Sequence, residues 1–414
     1  MAMRRQANSQ VLGRIALLGV SGLFACQAAP GRVNTVTVDR PDLPLAAATD
    51  DELRRFREGD RLFEVPFRES DGLGPLYIRS SCEACHQSDG RGPGLVPKMA
   101  VVESDGVTPA ADQSLLPFGA TERPYLSAGA RQPLSAPEGE ERVRRSLRLP
   151  PAVFGRGYLE AIADGELTRL ATEAAFRTNG IRGRLNRVSY NSERNPGASP
   201  VHDHRPGQTG IVGRFGLKAR IATLDEFAAD ALQGDMGLTT PVRPVEPPNP
   251  DGLSDDRRPG IDLPLSAVNA LADYLRLIDI PPRPPEPTQG RALFTATLCA
   301  ACHVPELMTR PDYPVRSLAG IAAPVFTDLL LHDMGTALAD GVSDGAATGR
   351  EWRTAPLIGL RFSSAMLHDG RARNVDEAIR AHAGPGSEAN VAVDRFLALQ
   401  PEARAELIHF VEGL

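Results

Sequence analysis

The chain carries the pattern Cys-x-x-Cys-His twice, as "CEACH" at Cys82–His86 and as "CAACH" at Cys299–His303. Three chemistries use cysteines paired at this spacing. Zinc needs four ligands, normally from two such pairs within a few tens of residues, whereas these pairs stand over two hundred residues apart. A redox dithiol gives no reason for a histidine at the next position, and it belongs to a βαβ context that the flanking sequence does not offer. Covalent haem attachment accounts for every residue: the thiols add to the porphyrin vinyls and the adjacent histidine reaches the iron. The expectation is two haem c groups, one on Cys82, Cys85 and His86, the other on Cys299, Cys302 and His303.

The N-terminus is consistent with that chemistry, which bacteria perform after export. Arg4 and Arg5 precede an apolar run from Ile15 to Ala25, too short to remain as a membrane span. The run ends in "LFAC", resembling a lipobox with Cys26 as the lipidated first residue of a mature lipoprotein; the alternative is ordinary cleavage nearby, for instance after Ala29. A periplasmic, lipid-anchored protein is expected, with no other membrane contact. The two motifs and Cys26 use all five cysteines, leaving none for disulfides. The net charge of −6, with acids and bases interspersed, leaves no basic face for nucleic acid. Lys98 and Lys218 are the only lysines in this arginine-rich chain.

A repeat surrounds the motifs. "DELRRFREGDRLF" (Asp51–Phe63) and "QGRALFTATL" (Gln289–Leu298) precede them and share a glycine and a Leu-Phe pair. "LPLSAVNALADYLRLI" (Leu263–Ile278) and "PEARAELIHFVEGL" (Pro401–Leu414) close the two halves with apolar residues at helical spacing. The fold expected is all-α: two cytochrome c-like helical domains with long Gly/Pro-rich loops. Its divisions are a signal segment at 1–26, a flexible tether at 27–50, a first haem domain at 51–283 and a second at 284–414. "IPPRPPEPTQG" (Ile280–Gly290) reads as a semi-rigid linker.

A second echo concerns "FGLKARIATLDEFAADAL" (Phe215–Leu232) and "MLHDGRARNVDEAIRAH" (Met366–His382). Aligned on "LDE" and "VDE", they put His382 opposite Ala231. With His382 as distal ligand, the second iron would be closed while the first lacked a counterpart. Histidines 332, 368 and 409 and methionines 308, 334 and 366 compete for that position.

The strings "GRFGLKA" (Gly213–Ala219), "GDMGLTTP" (Gly234–Pro241), "TDLLLHDMG" (Thr327–Gly335), "EWRTAPLIGL" (Glu351–Leu360) and "LHDGRARNVDEAI" (Leu367–Ile379) resemble the di-haem cytochrome c peroxidase and MauG superfamily. More narrowly, they resemble its bacterial di-haem oxidoreductases. The resemblance runs from about Asp51 to Leu414. It implies that His382 stands where the superfamily keeps a distal methionine or tyrosine. It also implies that Asp235 lies near the position of the active-site glutamate; proton delivery is expected from Asp235 or a nearby group such as Glu226. Asn186, with the carbonyls of Thr354 and Pro356, would hold a Ca²⁺ ion between the domains. Three departures are Phe227 in place of a glutamine, Leu217 in place of an inter-haem tryptophan, and Thr178 in place of a loop histidine.

The function implied is reduction of hydrogen peroxide or a related oxidant at the His86 haem. Electrons would come through the His303 haem from a small redox donor protein or a quinol-linked carrier. Two alternatives stay open. A non-enzymatic electron carrier would need Met99, Met236 or the His202/His204 loop on the first iron, and a MauG-like oxidase would oxidise an organic or protein substrate. Asp235 has a plain alternative too, as the cap of a turn at Gly237.

Overall fold

The computed structural model describes residues 42–414 except 91, 93, 128 and 254–259. The expected signal segment, Cys26 and the tether up to residue 41 lie outside the described residues. Residues 42–49 are docked against the fold: Leu45 is buried, and its N–H donates to the Leu277 carbonyl at 2.8 Å.

The described helices are α1 (Asp50–Glu64), α2 (Arg156–Ala161), α3 (Asp164–Ala175), α4 (Leu224–Met236), α5 (Leu265–Leu277), α6 (Gly290–Ala296), α7 (Val375–Ala381), α8 (Asn390–Leu397) and α9 (Pro401–Glu412). Thr49 starts α1 through a capping box. Its side chain accepts the Glu52 N–H at 3.3 Å, and the Glu52 carboxylate accepts the Thr49 N–H at 2.7 Å. The glycine shared by the two repeats has a packing reason. A Cβ on Gly59 would stand 2.2 Å from the Ala270 carbonyl oxygen of α5, and one on Gly290 would stand 2.4 Å from Phe410 Cβ of α9. Each leading helix therefore crosses its closing helix at a point with no room for a side chain. Four residues further on, Phe63 lies 5.3 Å from Tyr274 and Phe294 lies 5.5 Å from Phe410, ring centre to ring centre.

The all-α expectation is corrected by the strands. About 30% of the structure is helix and 13% strand, in several small sheets. The antiparallel pairs are β1 (Leu76–Tyr77) with β3 (Tyr125–Leu126), β2 (Val96–Val101) with β4 (Val143–Arg148), β5 (Arg187–Val188) with β6 (Ile211–Val212), β7 (Leu307–Met308) with β8 (Ala322–Ala323), and β9 (Leu331–Asp333) with β10 (Glu351–Arg353). Long connections carry backbone donors and acceptors that must be paired where they are buried, and short ribbons pair them. Most of these strands are two or three residues long, too short for an alternating pattern. The β2 segment "VPKMAV" was the readable exception, since it runs into a further valine, Val102.

The described residues form one compact unit. Its larger apolar cluster is centred on α1, α4 and α5 and extends past residue 283 to include Leu307, Tyr313, Val325 and Leu330. A smaller cluster joins α6, α7, α8 and α9 through Phe294, Val375, Phe396 and Phe410. Glu160 on α2 ties the larger assembly together. Its carboxylate accepts from Arg276 Nε of α5 at 2.6 Å, from the Tyr313 hydroxyl at 2.8 Å and from the Leu224 N–H that opens α4 at 2.7 Å. Burial alone would raise the Glu160 pKa, but Arg276 and these donors hold it below the usual carboxylate range. The Glu160→Ala variant leaves Arg276 buried without its main counter-charge. It should lose about 3–5 kcal/mol of stability, seen as a lower urea midpoint at unchanged m-value.

Candidate functional site

The second Cys-x-x-Cys-His motif opens into a largely apolar cavity. Cys299, Cys302 and His303 line it, and so does His382, where α7 ends. Local sequence sets both imidazoles. His303 Nδ1 lies 3.2 Å from the Phe326 carbonyl, and His382 Nδ1 lies 2.6 Å from the Ala378 carbonyl one turn earlier. A carbonyl only accepts, so each Nδ1 carries the proton and each Nε2 keeps a free lone pair. Burial pushes the His303 pKa down to about 4, with His382 adding to the effect, and burial also lowers that of His382. Two neutral imidazoles with free Nε2 atoms, two thiols and apolar walls including Phe294, Leu338 and Val393 fit a bis-histidine haem c.

The competing residues divide cleanly. His332 lines the cavity, but its Nδ1 meets Glu388 at 2.8 Å and its Nε2 meets Asp328 at 3.0 Å, so both nitrogens are engaged. His368 stacks on Trp352 with ring centres 3.9 Å apart. Met334 and Met366 line the cavity, whereas Met308 is 47% exposed on β7. His409 lies on α9 and is not among the lining residues.

The first motif is built differently. His86 Nδ1 is buried and lacks a hydrogen-bond partner, and the backbone of Pro151 and Gly90 neighbours the imidazole. Burial pushes its pKa down to about 4. A buried ring nitrogen left unpartnered is compatible with a proximal haem ligand. Asp235, in the last turn of α4, faces this motif closely enough to push the Cys85 thiol up, after burial, to about 11. Burial, opposed by Lys98, raises the Asp235 pKa to about 6. Asp230, Arg220 and Arg123 are its other charged neighbours. The Asp235 carboxylate makes no hydrogen bond or ion pair among the described residues. It does not cap the turn, because the Gly237 N–H donates to the Gln233 carbonyl at 3.0 Å.

Glu226 sits at the other end of α4, about 13 Å away along the axis at 1.5 Å per residue. Ser192 donates to it at 3.2 Å and Arg243 lies 3.7 Å away. The two acids therefore do not share one reaction point. His202 is held by Asp225 at 2.9 Å and stacks on His204. Met99 packs with Leu76 and Leu134, and Met236 lies in the larger apolar cluster.

For the expected Ca²⁺ site, the Asn186 Oδ1 is a buried acceptor without a partner, while its Nδ2 donates to the Lys218 carbonyl at 2.9 Å. The Thr354 carbonyl already accepts from the Thr327 hydroxyl at 2.7 Å and from Arg353 at 2.9 Å. Pro356 is half-buried. An orphaned hard oxygen fits a cation, with Asn186 the strongest member of the set.

Sequence reasoning gave no role to Lys98, Lys218 or Trp352, and weighed His368 only as a rival axial ligand. Lys98 Nζ donates to the Thr121 hydroxyl at 2.5 Å. Lys218 Nζ donates to the carbonyls of Thr348 at 2.6 Å and Glu351 at 2.9 Å, and lies 4.1 Å from the Trp352 ring centre. The scarcity of lysine and tryptophan was the available signal: both lysines, and the single tryptophan, lie next to the two centres.

Residues 130–262 and 268–414 match the family described as "Di-haem oxidoreductase, putative peroxidase". The match includes the second motif, Asp235 and His382, while Cys82–His86 precedes it. No curated protein matches the chain. Among solved structures, Kuenenia stuttgartiensis hydrazine synthase, pressurised with xenon, is 12% identical with a TM-score of 0.35, covering 97% of this chain and 100% of that one. A MauG-like protein associated with microbial copper homeostasis is 13% identical with a TM-score of 0.38, covering 93% and 95%. The family match covers more than half of the chain, and the protein belongs to the di-haem oxidoreductase family.

Proposed function

We propose that this di-haem oxidoreductase is an exported, lipid-anchored c-type cytochrome enzyme that reduces hydrogen peroxide or a related oxidant at the His86 centre. Electrons would be drawn through the His303/His382 centre from a small redox donor protein or a quinol-linked carrier. The observation that carries the reading is the asymmetry between the centres. His382 offers a free Nε2 to the cavity of His303, whereas the His86 side offers an uncommitted carboxylate, Asp235. The bound haems would supply electron storage at one centre and an iron with a substrate position at the other. The protein's part is to close the first of these with imidazoles and to leave the second open beside a proton carrier.

Asp235 suits that role because burial brings its pKa near the working range of a general acid–base. As a base it would take a proton from one peroxide oxygen, and as an acid it would return the proton to the departing oxygen. Its neighbours Lys98 and Arg220 would keep the ionised form accessible. Glu226, at the far end of α4, would act at most as a store for protons moving toward the site. The Ca²⁺ reading rests on the orphaned Asn186 oxygen.

The first test is the EPR spectrum of the ferric protein, where one high-spin and one low-spin signal are expected. Two low-spin signals that persist on half-reduction would overturn the open-centre reading in favour of an electron carrier. Peroxide reduction should fall as the pH drops through about 6, because protonation removes the Asp235 base. Asp235→Asn should abolish that limb and lower kcat on the order of 10²–10⁴-fold. Chelation with EGTA should lower Tm, Ca²⁺ should restore it, and Asn186→Ala should make Tm insensitive to both.

A further inference from the structure

The relay between the two centres needs a route, and the contacts outline one. Trp352 and His368 both line the His303/His382 cavity. Their rings stack with centres 3.9 Å apart and planes 15° apart. The His368 carbonyl accepts the Leu149 N–H at 2.6 Å. Two residues along the chain, the Pro151 backbone is a neighbour of the His86 imidazole.

We propose that electrons pass from the His303/His382 cavity through the Trp352–His368 stack, across the His368–Leu149 hydrogen bond and along Leu149–Pro151 to His86. This inference rests on the two-centre reading above and assigns its internal path. Electrons tunnel with less loss through covalent and hydrogen bonds than across gaps. Here the non-covalent steps after the cavity wall are the ring stack, one short hydrogen bond and the approach of Pro151 to the imidazole.

The strap is also held rigid, which keeps the coupling constant. Leu149 is 4% exposed, and its methyls stand 2.7 Å and 3.6 Å from where Cβ atoms on Gly92 and Gly370 would lie. Pro150 and Pro151 have restricted φ. Arg148, just before the strap, pairs with Asp340 at 2.7 Å and Asp344 at 2.6 Å. The charges around the stack decide how it works. Lys218 Nζ lies 4.1 Å and Arg148 Cζ lies 5.4 Å from the Trp352 ring centre. Two cations beside the indole make removal of an electron from it costly. Trp352 is thus a bridge that the electron crosses and not a site that becomes oxidised. Overall, two one-electron deliveries from the reduced donor and two protons convert one hydrogen peroxide to two waters, and no residue on the route changes oxidation state.

The test uses the haem-loaded protein, reduced by a single electron in a pulse-radiolysis experiment, with the optical change between the two haems followed in time. His368→Leu should slow the exchange by roughly tenfold, an added barrier of about 1.4 kcal/mol, with haem spectra and reduction potentials unchanged. His368→Phe, which keeps a flat ring on Trp352, should restore it. Should the leucine variant fail to fold, Trp352→Met against Trp352→Phe makes the same comparison on the partner ring. An unchanged rate in the ring-less variant would overturn the route and leave the two-centre reading standing. Absence of exchange in the unaltered protein would overturn the relay itself, and the route with it.

Discussion

A buried carboxylate has to be met by donors on every side, and at Glu160 this requirement organises the fold. Arg276, Tyr313 and the first N–H of α4 converge on it. They bring together α2, α4, α5 and a loop from the second half of the chain. Fixing the first turn of α4 fixes its direction. The helix then carries Asp225 into contact with His202 at one end and delivers Asp235 toward the first cysteine motif at the other. A single ionic cluster thus determines where the Asp235 carboxylate stands some three turns away.

The difference between the centres also comes down to a few backbone oxygens. Carbonyls of Phe326 and Ala378 hold the Nδ1 protons of His303 and His382 and leave two lone pairs directed to one cavity. Beside the first motif stands an acid, Asp235, whose pKa burial raises, with cations in reach but none in contact. One centre thus presents two imidazoles to a cavity and the other a titratable acid, within a chain of the di-haem oxidoreductase family.

Much of this was legible in the residues. The cysteine motifs are contiguous in the chain, so they can be recognised without the fold. The glycine and Leu-Phe shared by the leading helices reported a real crossing, because a helix that touches its partner by the backbone has no alternative to glycine there. The alignment on "LDE" and "VDE" singled out His382, which lines the cavity of the second motif. The ribbons were not legible, since two residues of strand have no period. Nor was the isolation of Glu226 from Asp235, which depends on α4 being one unbroken helix.

The amino-acid sequence by itself determined the covalent and local features: which residues can bind haem, where helices start, and which positions admit no side chain. Only the tertiary structure decided which groups face each other. His332 and His382 are equally plausible ligands as letters, yet one is clamped between two carboxylates and the other is aimed into a cavity. Leu149, Trp352 and His368 have no motif that joins them, and they meet only because the β4 ribbon returns against the second half of the chain. Hydrogen bonds and burial act over a few ångströms in space, whatever the distance along the chain, so partners of this kind emerge only on folding.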